Sequence, residues 1–389
     1  MIALSTELAL LVACDLADDA AFGARLAAAT KVGIDWDRFI AIARGNGMEA
    51  LAVARISSLL PDVLPAALLA LPQRNAILQL VQSSAAVKLM DRLAQDDVRS
   101  LLLKGMALNH TLYAATPHWR NSSDIDVLVA SADLPAADRI LTAAGYRRQW
   151  PDHDVPAGGR AMFLLLANVF EYICPETGVL IELHHRITLN PFWLPADFDR
   201  LYAASSQIDT GQGLVRGLDG PFLVAYLCWH AFAHFRFRLK WFCDIFRARQ
   251  LAGGTSCAGL CPPQAGFAAG PVALADALLA TIMAASEYGA AAVPAGPWRK
   301  HVLRIIADME NPRDIPTARS IALLGGEIGF RLFLMRLSPG IRGKSYELLR
   351  ALSDPRDAEL LKLGTGFAPL YAVLGPLLAL RRFALRPRQ

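Results

Sequence analysis

The stretch NSSDIDVLV, residues 121–129, sets two aspartates one residue apart inside an otherwise apolar run. Burying a charge without a partner is costly. A chain with this run must therefore fold so that Asp124 and Asp126 have something to hold. The run has the length and β-branched content of a strand. Strand side chains alternate faces, so the aspartates share one face and Ile125 and Val127 the other. Two residues along a strand lie about 6.6 Å apart at Cα, close enough to share one or two divalent ions. Mg²⁺ prefers such oxygen ligands, completed by waters and phosphates. The plain alternative is a solvated pair, because NSSD is also good loop and cap chemistry.

The neighbouring sequence builds a small unit around this strand. VRSLLLKG reads as a buried strand, MALNHTLYAA as a helix stopped by Pro117, and LPAADRILTAAGY as a helix ended by glycine. MFLLLANVFEYIC and VLIELHHRI read as two more strands, joined by the turn PETG into a hairpin. Residues 1–97 are Ala- and Leu-rich with helical spacing. From Asn190 onward the pattern is helical again, with PFLVAYLCWHAFAHFRFRLKWFCDIFRARQLAGG as one or two long helices. Residues 251–272 are rich in Gly, Ala, Ser and Pro and read as a loop. The expected class is α+β: a small mixed sheet with its helices at 98–190, between helical regions at 1–97 and 191–389.

Three further features fit a phosphate and metal site. Glu182 is the acid of the strand VLIELHHRI, and alternation puts His184 on its face. A four-residue PETG turn would set Glu171 opposite Glu182 as an unfavourable like-charged pair. Lys104-Gly105 ends one predicted strand and opens a predicted helix, where free N–H groups and a lysine suit phosphate. Arg120 and Ser123 flank the acids and are candidate phosphate contacts; a surface position or a local cap is the alternative. Arg236, Arg238 and Lys240 form a basic patch interleaved with Phe235, Phe237 and Trp241. It suits a triphosphate or an acidic acceptor, although Lys240 with Asp244 is also a plain i, i+4 pair. His230 and His234 have zinc-like i, i+4 spacing but no third ligand by spacing.

Composition narrows the class. With 54% hydrophobic and 19% charged residues among 389, the chain can bury a large core. A net charge of +4 gives no argument for nucleic acid and suits an anionic small ligand. Six cysteines without a CxxC pair point to reduced thiols and a cytoplasmic setting. FAPLYAVLGPLLAL, residues 367–380, is shorter than the about 20 residues of a membrane span. Followed by RRFALRPRQ, it is compatible with weak membrane-surface contact, the plain reading being a core helix with a solvated end.

Taken together, LLLKGMALNHTLY, WRNSSDIDVLV and IELHHRI, with HAFAHFRFRLKWFCDI later, resemble the polymerase-beta-like nucleotidyltransferase superfamily. The likeness spans roughly residues 95–250 and is strongest to a largely uncharacterised bacterial branch. The resemblance implies Asp124, Asp126 and Glu182 as metal-binding catalytic carboxylates, and Lys104-Gly105 where many members carry Gly-Ser. It departs in that Lys-Gly, which lacks a hydroxyl, and in Glu182, where Asp is common. It implies Mg²⁺ or Mn²⁺, a nucleoside triphosphate (ATP first) and release of pyrophosphate. The acceptor expected from relatives is a small-molecule or peptide natural product. A non-catalytic nucleotide-binding scaffold, or an antitoxin-like enzyme acting on RNA or protein, is the rival reading. If the carboxylates only repel one another without metal, replacing Asp124 and Asp126 by Asn should leave the metal-free fold as stable or slightly more so.

Overall fold

The computed structural model describes residues 1–116, 118–152, 154–234, 237–311 and 326–384. Seven strands form one mixed sheet: β1 (Ser100–Leu102), β2 (Asp124–Val129), β3 (Arg147–Trp150), β4 (Val169–Ile173), β5 (Leu180–His184), β6 (Ser205–Asp209) and β7 (Leu214–Leu218). Their order is β3-β4-β5-β2-β1-β7-β6. β1 runs antiparallel to β2, while β2 with β5 and β1 with β7 are parallel. The α+β expectation holds, with helices before, between and after the strands.

Alternation along β2 divides the molecule into two cores. Ile125, Val127 and Val129 enter one cluster with Leu141, Met162 and Ile181. Leu128, on the face of the acids, enters the other, with the N-terminal helices and helices after residue 220. The sheet is thus covered by apolar packing on both faces, and the acids look toward the helical side.

Several sequence expectations are corrected. MFLLL is the end of the helix Ala157–Leu166, not a strand; Pro156 precedes it, and Met162, Phe163 and Leu166 bury one helical face. Only VFEYI is strand β4, and the PETG hairpin to β5 forms as expected, with Glu171 opposite Glu182. β5 also meets the Asp strand, as its parallel neighbour. The stretch after Asn190 is not purely helical: β6 and β7 form an antiparallel hairpin that extends the sheet beyond residue 190. The long apolar stretch is two helices, Gly220–Ala233 and Leu239–Leu251. The loop at 251–272 holds a short helix, Cys257–Leu260, and its end already belongs to the helix Ala269–Tyr288.

One packing detail explains a Gly-Gly pair. The helix Pro355–Leu361 lies so close to Ala157–Leu166 that a Cβ at Gly159 would sit 2.0 Å from the Ala358 carbonyl oxygen. Only glycine lets two backbones approach like this. Among the described residues one helix, Ala269–Tyr288, is by itself long and apolar enough to cross a membrane. Leu274, Ala275, Leu278 and Ile282 of that helix lie in the core. The C-terminal helix Ala368–Ala384 is apolar over its described side chains, some buried and some not: Tyr371 is fully buried, while Val373 and Leu377 are exposed. Of the basic tail, residues 385–389 lie outside the described residues. All six cysteines are free thiols.

Candidate active site

β1 and β2 pair through Leu102 and Val127, and the Leu103 N–H donates to the Asp126 carbonyl at 3.1 Å. This brings Lys104 alongside Asp126. The chain then turns at Gly105, whose φ of +64° opens the helix Met106–Thr111. A Cβ there would lie 2.7 Å from the Ser122 Oγ, so the turn and the loop before β2 close on each other at this glycine. On the other side of β2, parallel pairing sets Glu182 directly beside Asp126.

The result is a compact charged cluster. Lys104 Nζ lies 2.7 Å from Asp126 Oδ1 and 3.4 Å from Asp124 Oδ2. His184 Nε2 lies 3.3 Å from Asp126 Oδ1 and 3.4 Å from Glu182 Oε2. The Asp126 side chain is fully buried, whereas Asp124 and Glu182 are 24% and 33% exposed. Burial disfavours the Lys104 ammonium, yet Asp126 and Asp124 hold it well above the usual lysine range. Burial likewise opposes a charged His184, but hydrogen bonds to Asp126 and Glu182 lift it to about 9. Burial raises the Glu182 carboxyl, and the His184 hydrogen bond and Lys104 charge outweigh it, leaving it below the usual range.

The donor set fits a divalent cation. Among the described residues Asp126 Oδ2 is buried without a hydrogen-bond partner, and orphaned carboxylate oxygens of this kind are rare unless something else satisfies them. One ligand atom each from Asp126, Glu182 and His184 lies within 4.8 Å of the others. Asp124 is outside that group: its Oδ1 accepts from the exposed Ser123 Oγ at 3.3 Å. His184 is thus a member that the carboxylate reading left out, although strand parity had placed it on the right face. His185 points elsewhere, with Nε2 2.9 Å from the Ala167 carbonyl. Glu171 is exposed beside Glu182; burial and then the Glu182 charge raise its carboxyl.

Other predicted contacts fall in different places. Arg120 is buried in a two-pronged ion pair with Asp244, Nε to Oδ1 and Nη2 to Oδ2 both 2.7 Å, so its fork is not free for phosphate. Its Nη1 donates to the Gly105 carbonyl at 3.4 Å. Asp244 also accepts from the Tyr113 hydroxyl at 3.0 Å, and its charge acts on Lys240 while its carboxylate pairs with Arg120. Gln79 and Gln82 both donate to the Ser122 carbonyl, at 3.1 and 3.2 Å. These bracing residues carried no local signal beyond polar side chains on a mostly apolar helix. Lys240 Nζ donates to the Asn121 carbonyl at 3.4 Å. Arg236 and Phe235 of the basic patch lie outside the described residues.

Desolvation, then the charges of Arg120 and Arg238, push Lys240 down to about 7. Between that value and the unfolded value near 10.5, the unfolded chain binds a proton that the folded chain has released. Stability should therefore rise with pH across this window. Lys240→Met should stabilise most below pH 7, with the gain fading toward pH 10.5. Paired urea titrations at several pH values would test this; a gain independent of pH would contradict it.

A mixed sheet carrying paired carboxylates on one face, beside a Lys-Gly turn that opens a helix, defines a nucleotidyltransferase core. The chain belongs to the uncharacterised nucleotidyltransferase family, whose model matches residues 33–255. The match takes in most of the N-terminal helices as well as the sheet. Comparison with curated proteins and with solved structures gives no match. The chain is thus a nucleotidyltransferase, an enzyme class that takes a nucleotide substrate and works with a divalent metal.

Proposed function

We propose that the chain transfers a nucleotidyl group, AMP from ATP in the first instance, to a hydroxyl or phosphate of a small-molecule or peptide acceptor. The α–β phosphoanhydride breaks and pyrophosphate leaves. The observation that carries this reading is the buried, unpartnered Asp126 Oδ2 inside the Asp126, Glu182 and His184 group, directly beside Lys104. Asp124, Asp126 and Glu182 would hold Mg²⁺ or Mn²⁺, with His184 Nε2 donating to Asp126 and Glu182 beside them. When bound, the metal supplies charge neutralisation for the phosphates and a lower pKa for the acceptor hydroxyl.

The chain's own groups divide the remaining work. Lys104 sits on a rigid turn and offers an ammonium to the β- and γ-phosphates, and the Gly105 backbone allows close approach. Ser123, exposed at the rim, and Lys240 are further phosphate contacts. Arg120 positions the Gly105 turn rather than touching phosphate. The natural-product class of acceptor rests on the sequence resemblance. A second reading, a nucleotide-binding scaffold without metal, is favoured by one observation: Lys104 and His184 already neutralise Asp126.

Calorimetry separates the two. MgATP should bind, and binding should be lost in excess chelator; equal affinity in chelator would favour the scaffold. Lys104→Ala should weaken ATP by about tenfold or more, the worth of a charge-assisted phosphate contact. Unchanged affinity in that variant would return Lys104 to a purely structural role. Mass spectrometry of candidate acceptors incubated with MgATP would then read the transfer itself.

A further inference from the structure

Helices Gly220–Ala233 and Leu239–Leu251 carry a ladder of rings on the acid side of the sheet. Tyr226 and His230 are stacked, with centroids 6.0 Å apart and planes 29° apart. His230 meets the edge of Trp241 at 5.2 Å, and Trp241 stacks on His234 at 4.8 Å and 29°. The inner end is closed, since Tyr226 is 1% exposed. The outer end is open: Trp241 is half-buried and His234 is exposed. Among charged groups, Tyr226 feels Asp126 and Lys104 most strongly, and Lys104 acts on both histidines.

The ladder is fixed to the loop before β2. Lys240, beside Trp241, reaches the Asn121 carbonyl at 3.4 Å, and Asp244, one turn further on, holds Arg120. From Tyr226 to the end of its helix at Ala233 the rise is roughly 10 Å, comparable with the span from a triphosphate to its base. The outer rings are a stacking surface beside a cationic one, with the Arg238 guanidinium 5.8 Å from the Trp241 ring.

We propose that His234 and Trp241 form the base-binding platform of this enzyme, on which the nucleobase of the triphosphate adds as the next layer while its phosphates lie toward Lys104. This rests on the nucleotidyl-transfer reading above and adds where the nucleoside is held. Stacking accepts every base, because each has a π-face. The platform therefore predicts tolerance among nucleoside triphosphates, with purines bound best for their larger rings.

Calorimetry with Mg²⁺, comparing ATP with inorganic tripolyphosphate, tests it. Trp241→Ala should weaken ATP by about 5- to 100-fold and leave tripolyphosphate unchanged, and Trp241→Phe should recover most of the loss. Equal losses for both ligands, no loss for either, or a change confined to acceptor KM would overturn the platform. If wild-type protein binds tripolyphosphate as tightly as ATP, no base contact exists and the platform falls while phosphate binding stands. If it binds neither, the nucleotidyl-transfer reading itself fails. Should Trp241→Ala not fold, His234→Ala at the exposed end carries the same comparison.

Discussion

Asp126→Asn should reduce nucleotidyl transfer by about 100- to 1000-fold or more, because removing one preorganised charge at a reacting phosphate has that order of effect. It should also lower the melting temperature in the presence of chelator. Lys104 Nζ is 2.7 Å from Asp126 Oδ1, and the Asp126 side chain is fully buried. With the carboxylate gone, the ammonium stays buried beside a neutral amide. Removing one partner of a buried pair costs about 3–5 kcal/mol. This reverses the expectation from sequence, in which the two acids only repel each other and their loss relieves the fold. Lys104 and His184 already balance them. Asp124→Asn should be gentler on stability, because Asp124 is partly exposed and 3.4 Å from Lys104. Glu182→Gln should lose activity with a smaller change in melting. An Asp126→Asn protein of full activity would remove Asp126 from the chemistry. A variant as stable as wild type in chelator would show that the Lys104 pairing contributes nothing.

Arg120→Ala should be among the most destabilising single changes in the chain. Its guanidinium makes two 2.7 Å contacts to Asp244, and both side chains are almost fully buried. Truncation strands Asp244 among apolar neighbours and Tyr113, at about 3–5 kcal/mol. Asp244→Asn should behave alike, because it leaves the arginine unpaired. The double change Arg120→Met with Asp244→Leu should recover much of the stability, since apolar replacements of a buried pair are often neutral. It should not recover activity: Arg120 Nη1 also donates to the Gly105 carbonyl, and the phosphate turn loses that brace. Thermal melts and transfer rates on the three proteins give the answer. A stable double variant with wild-type rate would show that the brace has no catalytic consequence.

Much of the candidate site was legible because strand geometry is local. Period-2 alternation is a steric property of one segment. It placed Asp124 and Asp126 on one face of β2, and Glu182 and His184 on one face of β5, with no knowledge of the partner strand. The PETG turn likewise set the register that pairs Glu171 with Glu182. MFLLL misled because a short apolar run has no period of its own, and here a helix and its Gly-Gly contact with Pro355–Leu361 claimed it. β6 and β7 were hidden for a similar reason: SSQID is a short, mostly polar edge strand, and LVRGL beside it is a five-residue run interrupted by Arg216 and Gly217.

The sequence by itself determined the α+β class, the acid face and the Lys-Gly turn, since each follows from side-chain parity, turn chemistry or composition within a few residues. Only the tertiary structure decided which groups meet. Arg120 finds Asp244 across 124 positions rather than a phosphate. His184 joins Asp126 across 58. Lys104 reaches Asp126 because β1 and β2 run antiparallel side by side. Such pairings depend on how separate segments dock and on the need to satisfy every buried charge, and no local pattern encodes them.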